Sequence, residues 1–227
     1  MLVSVVIPTY NAGKYLGEAI DSALNQTYKD VEVIVSNDAS TDNTKVIMEE
    51  YHDRIIQIDS PVNKGTARAL NLGIKNAKGD WIKWLSADDV LLPQAIESML
   101  WCMTPEYDDN TIFYTNYHII DQNGRHLRDF VEPKTPPDLW DKFYGNGSTS
   151  MIHRNVFEKC GMFDESLRFG EDYEFWLRCT QIYGVKLHLL PIFTINYRNH
   201  PEQLTHKVGG GNDRQIKDSI MQRIPQK

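Results

Sequence analysis

The sequence contains little cysteine, no excess of basic charge and no long apolar run. Its three cysteines are an odd number without a CxxC pair, which favours buried, reduced thiols over a disulfide framework or a zinc site. The net charge of −7 gives a nucleic-acid partner no electrostatic support, so we expect none. No apolar stretch approaches the roughly 20 residues that span a bilayer, and we therefore expect no transmembrane segment.

The sequence also shows no targeting signal where it begins. Residues 2–7 lead at once into a strand pattern, without the basic region or the cleavage site of a signal peptide. We therefore expect a soluble, cytoplasmic protein. The negative net charge disfavours a broad basic membrane-binding face, although a local patch for peripheral membrane contact stays open.

A glycine-rich loop is missing after the first strand, where Pro-Thr-Tyr-Asn-Ala-Gly stands at residues 8–13. A dinucleotide-binding dehydrogenase needs a GxGxxG turn at this place, because the backbone must approach the pyrophosphate closely. A sugar-phosphate nucleotidyltransferase needs a basic, glycine-rich loop there to hold a nucleoside triphosphate. The sequence therefore disfavours both enzymes, and only the nucleotidyltransferase is kept as an alternative.

The first hundred residues alternate between strand and helix patterns. Short apolar runs rich in β-branched residues predict strands at 3–7, 31–35, 54–58 and 81–85. Amphipathic stretches between them predict helices, the first of which Asn11 can N-cap. Such alternation is typical of α/β proteins, in which helices cover both faces of a mostly parallel sheet. The length of 227 residues and the hydrophobic fraction of 41% fit a single domain.

The second half of the chain follows a less regular pattern. It predicts helices at 93–103 and from Gly170 onward, and strands at 111–120, 185–190 and 193–197. Turn and loop signals lie at 121–124, 134–137 and 145–150. We therefore predict one domain over residues 1–205, with a regular half at 1–92 and a smaller β/α portion at 93–205. The residues 206–227 are expected to form a mobile tail.

Polar side chains follow each strand of the first half, in the loops 8–11, 36–40, 61–65 and 86–89. Ligands of open α/β sheets bind beyond the carboxyl ends of the strands, so these loops are expected to form a site. The last loop contains Asp88 and Asp89, adjacent acids that repel each other unless a cation or hydrogen-bond donors hold them. Mg²⁺ and Mn²⁺ prefer such oxygen ligands together with substrate phosphates. The alternative is a solvated turn before a helix.

A series of motifs resembles the inverting nucleotide-sugar glycosyltransferases of family 2. The first half carries Val-Ser-Val-Val-Ile-Pro-Thr-Tyr-Asn (3–11), Leu-Asn-Gln-Thr-Tyr (24–28), Asn-Asp-Ala-Ser-Thr-Asp (37–42), Asn-Lys-Gly (63–65), Ala-Lys-Gly-Asp-Trp-Ile (77–82) and Ala-Asp-Asp (87–89). The second half carries Gly-Met-Phe-Asp-Glu (161–165), Gly-Glu-Asp-Tyr-Glu-Phe-Trp-Leu-Arg (170–178) and Tyr-Arg-Asn-His (197–200). The resemblance spans residues 2–200. It implies the GT-A fold, a Rossmann-like, mostly parallel sheet flanked by helices with a smaller acceptor-side portion.

The resemblance implies a set of residues that bind the nucleotide sugar. These are Pro8, Tyr10, Asn11, Asp38, Lys64, Arg68, Asp88 and Arg198. In the family, the Pro-x-Tyr-Asn turn and the acid after the second strand hold the base and the ribose. A carboxylate such as that of Asp38 can accept the imide N–H of a base, and the ring of Tyr10 can pack against it. Taken alone, Asp38 can equally form an Asx turn and Tyr10 a packing contact.

The resemblance also matches Asp88 and Asp89 to the family's acidic metal motif. It implies that Asp89 binds a Mn²⁺ or Mg²⁺ ion that bridges the diphosphate, with Asp88 serving the ribose. Many relatives carry an acid at the place of Ser86, which leaves open which carboxylate binds the ion. Arg198 and His200 are expected to reach the diphosphate or the metal from a closing loop. A surface-loop histidine is the alternative for His200.

Glu171 and Asp172 match the acidic pair that supplies the family's catalytic base. In an inverting transfer, an acceptor hydroxyl attacks the anomeric carbon opposite the leaving diphosphate, which requires a base for the hydroxyl proton and a cation for the leaving group. We expect Asp172 to be the base, with Glu171 as the alternative. Both acids at a helix start can also simply stabilise the helix macrodipole, by about 0.3–1 kcal/mol each.

The expected function is therefore transfer of a sugar, of the hexosyltransferase type, from a nucleotide-diphosphate sugar to a carbohydrate or lipid-linked sugar acceptor. A UDP-sugar is the preferred donor. Residues 1–92 are expected to bind the donor and residues 93–205 the acceptor. A lipid-linked acceptor is expected at the cytosolic face of a membrane. A non-catalytic nucleotide-sugar-binding module is the alternative from another class, although such a module has no use for a base at Glu171 and Asp172.

Overall fold

The computed structural model describes residues 1–103, 109–133, 146–208 and 218–223. Its helices and strands are β1 (Val3–Thr9), α1 (Leu16–Leu24), β2 (Val31–Asn37), α2 (Thr44–Glu50), β3 (Ile56–Asp59), α3 (Thr66–Asn76), β4 (Trp81–Trp84), β5 (Val90–Leu91), α4 (Ala95–Cys102), β6 (Thr111–Ile120), β7 (His126–Phe130), β8 (Met151–His153), α5 (Arg154–Cys160), α6 (Glu171–Leu177), β9 (Lys186–Arg198) and α7 (Leu204–Val208). The predicted loop at 134–137 lies outside the described residues.

The strands form one sheet in the order β3-β2-β1-β4-β8-β6-β9-β5, and β7 pairs with β6. β3, β2, β1 and β4 run parallel to one another. β8 is antiparallel to both β4 and β6, and β9 is parallel to β6. The carboxyl ends of β1, β2, β4, β6 and β9 therefore lie at the same edge. The predicted α/β class is confirmed, with a parallel first half and a mixed second half.

The residues of β1 explain why helices cover both faces of the sheet. Val3, Val5 and Ile7 pack with the helix α1 on one face, whereas Val6 packs with α3 on the other. All of them are fully buried. A strand that is covered on both faces gains from apolar residues at every position, so its sequence is a continuous apolar run instead of an alternating one.

The packing of α3 on β1 depends on Gly73. A Cβ atom at Gly73 would lie 2.4 Å from Cγ1 of Val6, which is held inside the sheet. We expect Gly73→Ala to lower the free energy of unfolding by about 1–2 kcal/mol, because overpacking outweighs the gain in helix propensity. Gly17→Ala in α1 is the matched control, since its nearest neighbours there are Tyr51 Oη at 3.7 Å and Ile47 at 3.9 Å. Urea denaturation measures both variants, and equal stabilities would contradict this account of the packing.

Two local predictions were wrong. Asn11 caps no helix, because α1 begins only at Leu16, with Tyr15 as its N-cap residue. The two late strands predicted at 185–190 and 193–197 are one strand, β9. The register between β6 and β9 shifts where Thr115 faces Leu190 and Asn116 faces Phe193, so the residues between them form a bulge. A proline has no N–H to give to a ladder, and a bulge accommodates Pro191 without breaking the strand.

The predicted tail at 206–227 is described only in part. Ile220 is fully buried and packs against Leu167, Tyr173 and Leu177. Arg223 forms an ion pair with Asp164 at 3.0 Å. Residues 218–223 thus pack against the domain, while 209–217 and 224–227 lie outside the described residues. Among the described helices, none combines the length and the apolar character needed to cross a membrane.

Candidate active site

The loops that follow β1 and β2 lie side by side and are bonded to each other. The backbone N–H of Asn11 donates to Ser40 Oγ at 2.9 Å, and Asn11 Oδ1 accepts from the N–H of Thr41 at 2.8 Å. Asn11 and Ala39 have positive φ angles of 49° and 60°. A residue with a Cβ atom adopts this region only where its surroundings impose it, which is frequent at ligand sites. Beside them, Tyr10 is 51% exposed and offers its ring to a ligand.

Asp38 organises the loop after β3 as well as its own. Both its oxygens lie 3.0 Å from the backbone N–H donor of Lys64, and Oδ2 also accepts from the N–H of Gly65 at 2.6 Å. Gly65 has a φ of 99°, a conformation that favours glycine, so the turn at 63–65 can wrap around the carboxylate. Asp38 is only 2% exposed, so these contacts hold its carboxylate inside the turn.

The two predicted cations after β3 differ in their surroundings. Lys64 is exposed beside the turn. Arg68 donates to Glu165 Oε2 at 3.1 Å, and Asn71 donates to the other oxygen of Glu165 at 3.0 Å. Arg68 therefore holds the segment around Glu165 against α3. Pro8 is buried near the carboxyl end of β1.

The two acids after β4 differ in burial, because Asp88 is partly exposed whereas Asp89 lies in the interior. Asp89 is fully buried, and its Oδ1 accepts from the backbone N–H of Arg198 at 2.9 Å. No described residue gives Oδ2 a well-formed hydrogen bond. Burial, followed by the charge of Asp88, raises the pKa of Asp89 well above its ordinary value, while Ser148 and Lys83 act in the opposite direction. Asp89 therefore has one carboxylate oxygen available for a further partner.

A buried lysine beneath this pair was missed by the sequence analysis. Lys83 is fully buried in β4, and its ammonium group donates to the carbonyl groups of Trp84, at 2.9 Å, and of Ser148. Burial lowers the pKa of Lys83 to about 7, and Asp89 opposes this shift. The sequence feature that could have revealed this buried group is a lysine inside an otherwise apolar strand. The hydroxyl of Ser148 also bonds to that of Ser86 at 2.7 Å, so the loop that contains Ser148 packs against the loop that follows β4.

Arg198 lies inside the protein and is held by groups of the chain itself. Its Nε donates to the carbonyl of Asp88 at 2.9 Å, its Nη2 donates to Glu18 at 2.5 Å, and its guanidinium lies 4.7 Å from the ring centroid of Tyr15. Only 1% of the residue is exposed. This placement favours a role in positioning Asp88 and Asp89 over a direct contact with a diphosphate.

His200 faces Asp88 directly, with Nε2 of the imidazole 3.0 Å from Oδ2 of the carboxylate. The structure thus places His200, which the resemblance assigned to the diphosphate or the metal, beside Asp88, which the resemblance assigned to the ribose. Within the described residues, the ligand atoms of Asp88, Asp89 and His200 do not form a three-ligand cluster. Carboxylate oxygens beside an imidazole fit a divalent ion that takes one or two ligands from the protein and the rest from phosphates and water.

Glu171 and Asp172 begin α6, after Gly170 in a left-handed conformation. Burial, followed by the charge of Asp172, raises the pKa of Glu171 to about 8. Burial also raises the pKa of Asp172 to about 6, although its oxygen accepts the N–H of Tyr173 at 2.7 Å. A carboxyl group whose pKa lies near neutrality can accept a proton at physiological pH. The pair therefore has the acid–base properties that proton abstraction requires.

The sequence analysis also missed Glu132, a buried carboxyl group in the second half of the chain. It follows β7, it is almost fully buried, and no described donor bonds to its Oε2. Burial raises the pKa of Glu132 to about 7. Burial, followed by the charges of Glu132 and Tyr197, raises the pKa of Tyr117, and Arg128 opposes this shift. A single glutamate between apolar and proline residues carries no sequence signal for such a position.

The family model for glycosyl transferase family 2 matches residues 4–162 of the chain. An uncharacterized glycosyltransferase of Rickettsia typhi is 40% identical over 193 residues, covering 81% of this chain and 60% of the relative. An uncharacterized glycosyltransferase of Methanocaldococcus jannaschii is 34% identical over 206 residues, covering 87% of this chain and 70% of the relative. The chain thus spans about 60% of the length of the Rickettsia relative.

Solved structures of S. aureus TarS share the fold at low sequence identity. The TarS 1–349 complex with UDP-GlcNAc has a TM-score of 0.76 and 20% identity, and the match covers 98% of this chain and 65% of that chain. The complex with UDP has a TM-score of 0.71 and 21% identity, with 97% and 70% coverage. Because the matched family model covers most of the chain and the fold agrees, the chain belongs to glycosyl transferase family 2 and has the GT-A fold.

Proposed function

We propose that this chain transfers a sugar from a UDP-sugar to an acceptor hydroxyl by inversion at the anomeric carbon. The observation that carries the proposal is the placement of two separate acidic sets. Asp38 and Asp88 lie in loops at the carboxyl edge of the sheet, whereas Glu171 and Asp172 form an adjacent carboxyl pair with raised pKa values at the start of α6. A protein that only binds a nucleotide sugar has no use for the second set.

The donor is bound by the edge loops in this proposal. Asp38 accepts the imide N–H of the base and Tyr10 packs against the ring, while Asn11 and Pro8 hold the turn in shape. Lys64 is an exposed cation beside Asp38, to which its backbone N–H donates. The choice of UDP is supported by the UDP and UDP-GlcNAc complexes of the structural neighbour TarS.

A Mn²⁺ or Mg²⁺ ion belongs to the proposal, with Asp89 as its ligand and His200 and Asp88 beside it. Such an ion stabilises the negative charge that develops on the leaving diphosphate. The buried, unpartnered Oδ2 of Asp89 fits this role. Arg198 holds the backbone of Asp88 and gives its own N–H to Asp89, so it keeps both carboxylates in position.

Asp172 takes the proton of the acceptor hydroxyl, and Glu171 is the alternative base. The acceptor is proposed to be a carbohydrate or a lipid-linked sugar, bound by the half of the domain that follows residue 92. We further propose a cytoplasmic location, with a lipid-linked acceptor met at the cytosolic face of the membrane. The reaction serves glycan or polysaccharide biosynthesis in this proposal.

A thermal-shift screen of UDP-, dTDP- and GDP-sugars, with and without Mn²⁺, tests the donor. We expect the UDP-sugars to raise the Tm most, and Mn²⁺ to increase the shift, because a ligand stabilises in proportion to RT ln(1 + [L]/Kd). Transfer or slow hydrolysis of the best donor then tests the activity. Binding of UDP without turnover of any donor would support a non-catalytic binding module instead, and a larger shift with GDP-sugars would contradict the assignment of Asp38.

A further inference from the structure

The hairpin of β6 and β7 brings three metal-ligating side chains together. His118 of β6 and Asp129 of β7 are cross-strand partners, and His126 stands at the start of β7. One ligand atom from each of these residues lies within 4.8 Å of the other two. Nδ1 of His118 and Nε2 of His126 both face Oδ1 of Asp129, at 2.6 Å and 2.8 Å.

We propose that His118, His126 and Asp129 form a binding site for a Zn²⁺ ion, separate from the ion proposed for the donor. Two imidazoles and one carboxylate are a donor set that zinc accepts, with water in the fourth position. Imidazole nitrogen selects zinc and related transition metals over Mg²⁺, which prefers oxygen ligands. Zinc bonds of about 2.0–2.1 Å in a tetrahedron separate the ligand atoms by roughly 3.3 Å. The two contacts of the imidazole nitrogens with Oδ1 of Asp129 therefore need to lengthen by less than about 1 Å.

One ligand of the proposed site is held in place by packing. The imidazole of His118 stacks on Phe193 of β9, with ring centroids 4.4 Å apart and an interplanar angle of 4°. A ring that is fixed before the metal arrives loses little freedom on binding. The side chains of His126 and Asp129 are 57% and 51% exposed, so an ion can enter from solvent.

The position of the site indicates what the ion would do. Among the described strands, β7 pairs with β6 alone, and all five of its residues are exposed. A strand at the margin of a sheet that buries little apolar surface opens easily. A zinc ion shared by His118 on one strand and by His126 and Asp129 on the other would clamp β7 to β6. The alternative is a hydrogen-bonded triad in which Asp129 simply accepts from both imidazoles.

Calorimetric titration of the metal-free chain with Zn²⁺, without any nucleotide sugar, tests the site. We expect one high-affinity ion per chain, and His126→Ala and Asp129→Asn should each weaken its binding by at least about tenfold. His52→Ala is the matched control, because His52 is an exposed histidine whose Nε2 lies 3.1 Å from Asp53 and whose Nδ1 lies 3.0 Å from the carbonyl of Glu49, with no second imidazole bonded to either group. Its affinity for Zn²⁺ should equal that of the unchanged chain.

Two further measurements separate this site from the donor edge. Asp89→Asn should leave the affinity for Zn²⁺ unchanged, and excess Mg²⁺ should not displace the ion.

Co²⁺ in place of Zn²⁺ tests the geometry of the site. Bound Co²⁺ should show the strong visible absorption of a tetrahedral site, and this absorption should be lost in His126→Ala. Circular dichroism of each variant in a chelator confirms that it is folded.

The proposal is overturned if His126→Ala and Asp129→Asn, both folded, bind Zn²⁺ as tightly as the unchanged chain. It is equally overturned if His52→Ala loses as much affinity as they do, since binding would then be nonspecific. Because no donor or acceptor enters the titration, this result is independent of whether the chain transfers a sugar.

Discussion

Asp172→Asn is expected to lower kcat by about 10²–10⁴-fold while leaving the Kd of the donor nearly unchanged. A base that takes the proton from the attacking hydroxyl contributes a factor of this size. Asparagine keeps the size of the side chain and an oxygen that can accept the N–H of Tyr173, but it cannot take up the proton. Initial rates with a saturating donor and calorimetry of donor binding separate the two effects.

The fold is expected to tolerate this substitution. The pKa of Asp172 is about 6 in the folded protein, above its ordinary value of 3.8, because burial disfavours the charge. Ionisation therefore opposes folding as the pH rises through this window, and removal of the charge does not weaken the fold at neutral pH. Asp53→Asn is the control, since the side chain of Asp53 is 86% exposed and its substitution should leave kcat unchanged.

The pH dependence of the rate distinguishes the two candidate bases. A base must be ionised to act, so kcat/KM falls on the acid side of its pKa. We expect this fall near pH 6 for Asp172, and near pH 8 if Glu171 is the base instead. Glu171→Gln should retain most of the activity and the fall near pH 6. An active Asp172→Asn variant whose rate falls near pH 8 would transfer the role to Glu171.

Asp89→Asn is expected to lower kcat by roughly 10²–10³-fold and to abolish stimulation by Mn²⁺. A bound ion would stabilise the charge on the leaving diphosphate by several kcal/mol. Each 1.4 kcal/mol lost from this stabilisation slows the reaction by a factor of about ten, so the loss of the ion accounts for the expected fall in kcat. The amide oxygen of asparagine can still accept the N–H of Arg198, which Asp89 accepts at 2.9 Å. The variant therefore removes the charge without removing this contact.

The control for this prediction lies beyond the opposite end of β4. Asp80 stands just before the amino end of β4 and is exposed, so Asp80→Asn should leave the rate and its dependence on Mn²⁺ unchanged. The measurement is the initial rate as a function of Mn²⁺ concentration, together with the Tm shift caused by UDP with and without Mn²⁺. An Asp89→Asn variant with the same Mn²⁺ dependence as the unchanged chain would refute the assignment. If Asp88→Asn lost the dependence on Mn²⁺ and Asp89→Asn kept it, Asp88 would be assigned as the ligand of the ion instead.

Local patterns were sufficient for much of the fold. The continuous apolar run of β1 identified a strand covered on both faces, and the predicted bounds of β6 agree with the structure. The short strands β5, β7 and β8 were not predicted, because two to five residues carry too weak a pattern. The bulge around Pro191 was missed since a proline usually ends a strand, and only its register against β6 shows that the strand continues.

The sequence by itself determined the fold class, the family and the positions of the acids that follow the strands, because these depend on residue types at short spacings. The tertiary structure alone decided what surrounds those acids. Arg198 lies 109 residues from Asp89 and 180 residues from Glu18, yet it bonds to both. Burial of Lys83, Glu132 and Glu171 likewise results from packing between distant elements. Since desolvation and partner charges control the pKa of a group, no local pattern can predict it.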